Sequence, residues 1–206
     1  MQIFTDRKSA SQAAADLITK SLRERLQHQK RASLMVSGGS TPAACFQTLS
    51  ETDLPWSLID ITMTDERDVP STHPDSNEKM VREKLMVANA ASANFVKLEE
   101  DLSRSLTPFA CTLVGMGEDG HFASLFPDSA QLEIGLHSTA TVIKVTTPSS
   151  PHERSSATLN TLCASDLIIV LAFGAKKRVL LDAPEGYPIA HLLSQKGAPL
   201  TVLWAP

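Results

Sequence analysis

Nowhere in the 206 residues does an apolar run approach the roughly 18 positions that a membrane-spanning helix requires. The amino-terminal stretch MQIFTDRKSASQAAADL lacks the apolar centre of a secretory signal, so a cytoplasmic protein with no membrane partner is expected. Cysteine is scarce. Cys45, Cys111 and Cys163 are widely spaced and odd in number, which argues against a disulfide framework and against a zinc knuckle. Cys111 and Cys163 stand in apolar surroundings and are expected to be buried thiols. Positive charge is not in excess: 19 Lys and Arg against 23 Asp and Glu give a net charge of −4. That balance offers no electrostatic footprint for nucleic acid or an anionic membrane, although it leaves room for a local cationic pocket. No His-Glu-x-x-His spacing occurs, so no metal site is expected. No internal repeat, low-complexity run or linker breaks the chain, and residues 1–206 are expected to form a single domain.

What is present reads as an alternation of strands and helices. Ala10, Ala13, Ala14, Leu17, Ile18, Leu22 and Leu26 recur at helical spacing, which predicts an amphipathic helix from about Ser9 to Gln29. Strands are predicted at Ser33–Val36, Ile59–Met63, Cys111–Gly115, Val142–Val145, Leu167–Ala172 and Leu200–Trp204. Thr41 and Pro42 suit the cap and first position of a helix. Asp75-Ser-Asn-Glu78 reads as a capping box, and Arg154 is expected to open a helix after Pro151. Leu167–Ala172 is apolar throughout, as in a strand covered on both faces. The pattern predicts an α/β fold with a mostly parallel sheet and helices on both sides. Ligands bind such sheets beyond the carboxyl ends of the strands. Ser37–Thr41, Asp65–Arg67, Gly115–His121 and Gly174–Lys177 each follow a strand and are therefore expected to share one rim.

Four stretches on that rim have the residues for chemistry. Gly115-x-Gly117-x-x-Gly120 has the spacing of a dinucleotide-binding loop, but Glu118 and Asp119 would set carboxylates against a pyrophosphate, and Pro127 would shorten the following helix. The glycines instead form a tight turn presenting His121, the side chain best matched to general-base work near neutral pH. Asp119 would orient it. The plainer alternative is a capping Asp and a solvated His. Gly38, Gly39, Ser40 and Thr41 read as an anion-binding turn or as an ordinary strand-to-helix turn; neither a Walker loop nor a nucleophile elbow fits. Arg154, Lys176 and Lys177 are phosphate counter-charges or surface cations. Asp65, Glu66 and Arg67 stand at a strand end as pocket residues or as a local ion pair. His73, His152 and His191 have no partner legible in the sequence.

Taken together, Ser37-Gly-Gly-Ser-Thr-Pro42, Asp65-Glu-Arg67, Ser76-Asn77 and Gly115-Met-Gly-Glu-Asp-Gly-His-Phe-Ala-Ser-Leu-Phe-Pro127 resemble, in order and spacing, the motifs of 6-phosphogluconolactonases. The resemblance spans nearly the whole chain. It implies a modified Rossmann-like three-layer α/β/α sandwich, shared with glucosamine-6-phosphate deaminases and ribose-5-phosphate isomerases. It implies hydrolysis of 6-phospho-D-glucono-1,5-lactone in the pentose phosphate pathway, without metal or organic cofactor, by a monomer or homodimer. By the same resemblance His121 is the general base and Asp119 its neighbour. Gly38, Gly39, Ser40, Thr41, Arg154 and Lys177 hold the phosphate, with Lys177 favoured over Lys176; Asp65, Arg67 and Asn77 line the pocket. Two stretches depart from the family pattern: a brief connection around Lys97–Pro108, and Pro151-His-Glu-Arg154-Ser-Ser156, where Pro-x-Arg-[IV]-Thr is more usual.

Two rivals remain in view. A sugar-phosphate deaminase or aldose–ketose isomerase must move a proton on carbon, and the deaminase pattern carries a Glu where this chain has Phe126. A non-catalytic sugar-phosphate sensor would usually carry an N-terminal DNA-binding helix pair, whereas here one helix is expected before the first strand and the charge is negative.

Overall fold

The computed structural model describes residues 1–99, 102 and 106–206; part of the Lys97–Pro108 connection lies outside them. Seven strands form the main sheet: β1 (Gln2–Ile3), β2 (Ala32–Val36), β3 (Ile59–Met63), β5 (Asn94–Phe95), β6 (Cys111–Val114), β9 (Ile168–Phe173) and β10 (Leu200–Ala205). Their spatial order is β1-β10-β9-β6-β2-β3-β5, and every neighbouring pair is parallel. From β2 the chain builds outward through β3 and β5, then returns to the other side of β2 for β6, β9 and β10. The order therefore reverses between β2 and β6, and a crevice opens where their carboxyl ends diverge.

The apolar strands are buried because each face has its own cover. In β9, Ile169 and Leu171 join Leu34, Val36 and the Ala14, Ile18 and Leu22 stripe of helix α1 (Arg7–His28). Ile168, Val170 and Ala172 face the other way, onto Met35, Val114, Phe122, Ile189 and Leu192. Burial of each such Ile or Leu favours the fold by about 1.5–3 kcal/mol, and both faces draw on it. Helix α1 starts two residues before the predicted Ser9, because the Asp6 side chain caps it by accepting from the Ser9 N–H at 2.8 Å. Among the described residues, no helix is long and apolar enough to cross a membrane. Cys45 and Cys111 are buried. Burial pushes the Cys45 thiol up to about 12 and the Cys111 thiol higher still. Cys163, expected to be buried, is only half-buried, and burial raises its thiol to about 11.

A second, antiparallel sheet was not legible as such. It orders β4 (Asp65–Arg67), β8 (Arg154–Ala157) and β7 (Val142–Val145). Arg154 thus opens a strand, not a helix: its stretch finds backbone partners in β4 and β7 rather than within itself. The second helix is α2 (Ala43–Ser50), whose cap is Pro42 with no side-chain bond, so Thr41 lies in the preceding turn and not at the cap. The third helix, α3 (Asn77–Lys84), is capped by Ser76, which accepts from the Lys79 N–H at 3.2 Å. The predicted reciprocal Glu78 bond is absent; Glu78 accepts from Arg82 Nε at 2.8 Å instead. Glu66 takes the reciprocal role from β4, accepting the N–H groups of Asn77 and Glu78, each at 2.8 Å.

Candidate active site

The turns after β2, β3, β6 and β9 converge on one cavity of about 250 Å³ at the reversal point of the sheet. It is lined by Gly38, Gly39, Ser40, Thr41, Asp65, Arg67, Asn77, His121, Arg154 and Lys177, together with Ser37, Gly115, Met116, Gly117 and Ala123. Asp119 is not part of the lining. It stands behind His121.

That pair is built by its turn. The Gly117 N–H donates to the His121 carbonyl at 2.8 Å, and Gly120 adopts φ +78°, a conformation that glycine reaches without strain. A Cβ on Gly117 would overlap the Asp119 carboxylate and the His121 imidazole, so only glycine lets these two close over the turn. Asp119 Oδ1 accepts the His121 backbone N–H at 3.2 Å and lies 2.6 Å from His121 Nδ1. A carboxylate oxygen only accepts, so Nδ1 carries a proton, and in the neutral ring the lone pair is on Nε2. Phe126 fixes the ring from the side, with centroids 4.1 Å apart and planes tilted by 32°.

The same cavity is lined by three cations, Arg67, Arg154 and Lys177. In the β4–β8 ladder Arg67 and Arg154 are direct cross-strand partners, an arrangement that like charges disfavour. Neither is fully matched by an anion. Arg67 Nη1 donates to two neutral acceptors, the Asp75 carbonyl at 2.8 Å and Asn77 Oδ1 at 2.7 Å, and its Nε is buried with no partner among the described residues. Arg154 Nη1 lies 3.5 Å from Asp65 Oδ2, which is itself occupied by the Ser124 hydroxyl at 2.6 Å. Burial holds the Arg154 guanidinium below its ordinary value; Asp65 opposes the shift and Arg67 adds to it. Burial likewise lowers the Lys177 ammonium, with Glu118 opposing and Arg7 reinforcing. Lys177 forms no hydrogen bond or ion pair to a described residue. Lys176 points elsewhere, held by Glu118 at 2.8 Å outside the cavity.

The remaining residues set the walls. A Cβ on Gly38 would overlap the Asn77 side-chain amide, so the β2 turn sits directly on α3. Asn77 Nδ2 donates to the Asp65 carbonyl at 2.8 Å, tying α3 to β4. Ser37 Oγ is 2.9 Å from Thr64 Oγ1 and accepts the Gly115 N–H at 3.2 Å, joining three of the turns. Ser124, a site residue that sequence reasoning missed, is fully buried and joins the His121 turn to Asp65 and Arg154. Ala123 before it adopts φ +48°, a left-handed conformation that costs a residue with a Cβ about 1–2 kcal/mol. A strained alanine lining a cavity next to a buried hydroxyl is a feature of sites that hold a fixed geometry.

Known proteins resemble this chain over its full length. Residues 5–201 match the family model described as glucosamine-6-phosphate isomerases/6-phosphogluconolactonase. A curated relative from Caulobacter vibrioides, named 6-phosphogluconolactonase, is 36% identical over 224 aligned residues that cover 100% of this chain and 97% of its own length. One from Neisseria meningitidis serogroup A, with the same name, is 35% identical, covering 98% and 97% respectively. The crystal structure of a 6-phosphogluconolactonase from Shewanella baltica superposes with a TM-score of 0.94 at 33% identity, covering 100% of this chain and 97% of that one.

Proposed function

The chain belongs to the glucosamine-6-phosphate isomerase/6-phosphogluconolactonase family, and on that premise we propose that it hydrolyses 6-phospho-D-glucono-1,5-lactone to 6-phospho-D-gluconate in the oxidative pentose phosphate pathway. It acts as one domain in the cytoplasm, as a monomer or homodimer. The observation that carries the reading is the Asp119–His121 pair, whose imidazole lines the same cavity as Arg154 and Lys177.

The substrate has a dianionic phosphate at one end and an ester carbonyl at the other. The Gly38–Thr41 turn, Arg154 and Lys177 take the phosphate, which positions the carbonyl against His121. Asp65, Arg67 and Asn77 line the sugar between them. His121 Nε2 removes a proton from a water as the water oxygen bonds to C1. Asp119 stabilises the imidazolium so formed. The carbonyl oxygen becomes an oxyanion, whose stabilisation by fixed donors is usually the largest single contribution to rate. On collapse the C1–ring-oxygen bond breaks and the imidazolium returns its proton to the departing oxygen. The product acid then ionises, releasing one proton per turnover. No serine or cysteine nucleophile is needed.

Phe126 speaks against the deaminase or isomerase alternative. Its ring packs on His121 where the deaminase pattern has a glutamate, and an aromatic ring transfers no proton. The test is proton release on adding freshly generated lactone, measured against the spontaneous reaction. Acceleration by the native protein is the expected outcome; none at all would reject the lactonase.

A further inference from the structure

His73 and His152 had no partner in the sequence, yet the fold brings both to one carboxylate. Asp75 Oδ2 lies 3.0 Å from His152 Nε2 and 3.8 Å from His73 Nδ1, and all three ligand-type atoms lie within 4.8 Å of one another. Two ligands of a tetrahedral zinc ion with bonds of 2.0–2.1 Å sit about 3.4 Å apart, a value the two measured separations bracket. The side chains are partly open to solvent, which leaves a fourth position for water. From this geometry we infer that His73, Asp75 and His152 form a binding site for a divalent transition ion of the zinc class.

Three features prepare the site. The segments carrying it are stiffened by proline: Pro74 separates His73 from Asp75, and Pro151 precedes His152. The Asp75 N–H donates to His73 Nδ1 at 3.1 Å, so that nitrogen is already unprotonated and offers its lone pair toward Asp75. An incoming ion replaces the amide as its partner. The bond from His152 at 3.0 Å, which requires a proton on Nε2, already turns the Asp75 carboxylate toward the histidine pair. On ligation His152 moves that proton to Nδ1. Two imidazoles with one carboxylate suit zinc, cobalt or nickel and disfavour magnesium and calcium, which take oxygen ligands.

The site is not the catalytic one and takes no part in the lactone chemistry. It lies one residue's main chain from it: the Asp75 carbonyl accepts from Arg67 Nη1, so an ion there fixes the loop on which Arg67 rests. The inference stands whether or not the lactonase reading does, because its test needs no substrate.

The probe is zinc chloride, titrated calorimetrically into the full chain in a non-coordinating buffer, with cobalt absorption as the spectroscopic check. One ion per chain is expected. The variants are His73→Asn, His152→Asn, their combination, and Asp75→Asn, which keeps the main-chain carbonyl. Each single change should weaken binding at least about 10-fold, since loss of even an outer partner costs 10–100-fold. The double variant should bind none and lose the visible cobalt bands, while circular dichroism shows its fold intact. If the double variant does not fold, Asp75→Asn decides. His121→Asn should bind zinc as the native protein does. No binding by the native protein, equal binding by native and variant proteins, or loss only in His121→Asn would each overturn the inference.

Discussion

Two cavities of similar size lie at opposite ends of the β2 and β3 strands, about 250 Å³ at their carboxyl ends and about 210 Å³ at their amino ends, and they hold their arginines differently. At the amino end Arg31 grips Asp60 with two hydrogen bonds of 2.8 and 2.7 Å, and Arg25 pairs with Asp166. At the carboxyl end Arg67 bonds neutral acceptors, Arg154 shares a carboxylate with a serine, and Lys177 is unpaired among the described residues. A guanidinium clasped by a carboxylate has its donors filled, whereas one facing neutral groups is open to an incoming anion. The contrast separates a cation that stabilises the fold from one held ready for a ligand, although both occur in arginine-lined hollows of one sheet.

The comparison breaks most sharply at the imidazole. His121→Ala should lower kcat by about 10²–10⁴-fold, the usual contribution of a positioned base, with little change in thermal stability. Proton-release kinetics check it; a kcat near the native value would remove His121 from the chemistry. Gly117→Ala is subtler. Its new Cβ meets only side-chain atoms of Asp119 and His121, which can swing aside, so the fold should persist while the pair is displaced. Misplacement of about 1 Å can cost about 10²-fold, so kcat should fall by roughly 10–100-fold with circular dichroism unchanged.

These predictions lean on parts of the molecule that the sequence reveals unevenly. Apolar strands such as Ile168–Phe173 were legible because every residue needs cover. The meeting of four turns followed from the rule that parallel strands point their carboxyl ends one way. The β4–β8 pair was not legible. Asp65-Glu-Arg67 and Arg154-Ser-Ser are polar, and each is a strand because of its neighbours, β8 beside β4 and both β4 and β7 beside β8. The start of α2 differs because Thr41-Pro42 has the local chemistry of a cap and first turn, while Thr41 lies on the cavity wall and Pro42 takes the cap position. Ser124 lay inside a conspicuous motif, but the Asp65 carboxylate it serves is 59 positions away. His152 had no visible partner for the same reason: Asp75 meets it across 77 positions.

The arginines give the direct test of the two ends. Arg154→Ala should raise KM by about 10–100-fold with kcat nearly unchanged, as expected for loss of a charge-assisted bond made equally in ground and transition states. Arg31→Ala should leave KM and kcat within about 2-fold and instead lower stability by about 1–3 kcal/mol, because Asp60 is left desolvated without its partner. Burial alone would raise the Asp60 carboxyl, but hydrogen bonds from Arg31 and Asn94 outweigh it and hold it below 3.8. Its contribution is therefore full above that value and is lost as pH falls through the lower folded one. Native protein should lose this increment on acidification and Arg31→Ala should have little of it to lose, which denaturant melts at several pH values would reveal. If Arg31→Ala raised KM instead, the two cavities would not differ as described.

Lys177 makes the smallest and most discriminating case. Its folded ammonium lies below its ordinary 10.5, chiefly through burial, so between the folded and unfolded values the unfolded chain holds more protons. Stability from this group therefore rises with pH across that window, and at neutral pH the half-buried charge weighs against folding. Lys177→Met keeps much of the side-chain stem while removing the charge. It should raise stability slightly, on the order of 0.5 kcal/mol, as other relieved functional sites do, and at the same time raise KM several-fold. The paired readout is what matters: a cation kept for the fold would lose stability on removal, as Arg31 should, whereas one kept for an anion should lose affinity and gain stability. Denaturant melts and KM measured on one preparation of Lys177→Met distinguish the two, and a variant both weaker in stability and unchanged in KM would place Lys177 with Arg31.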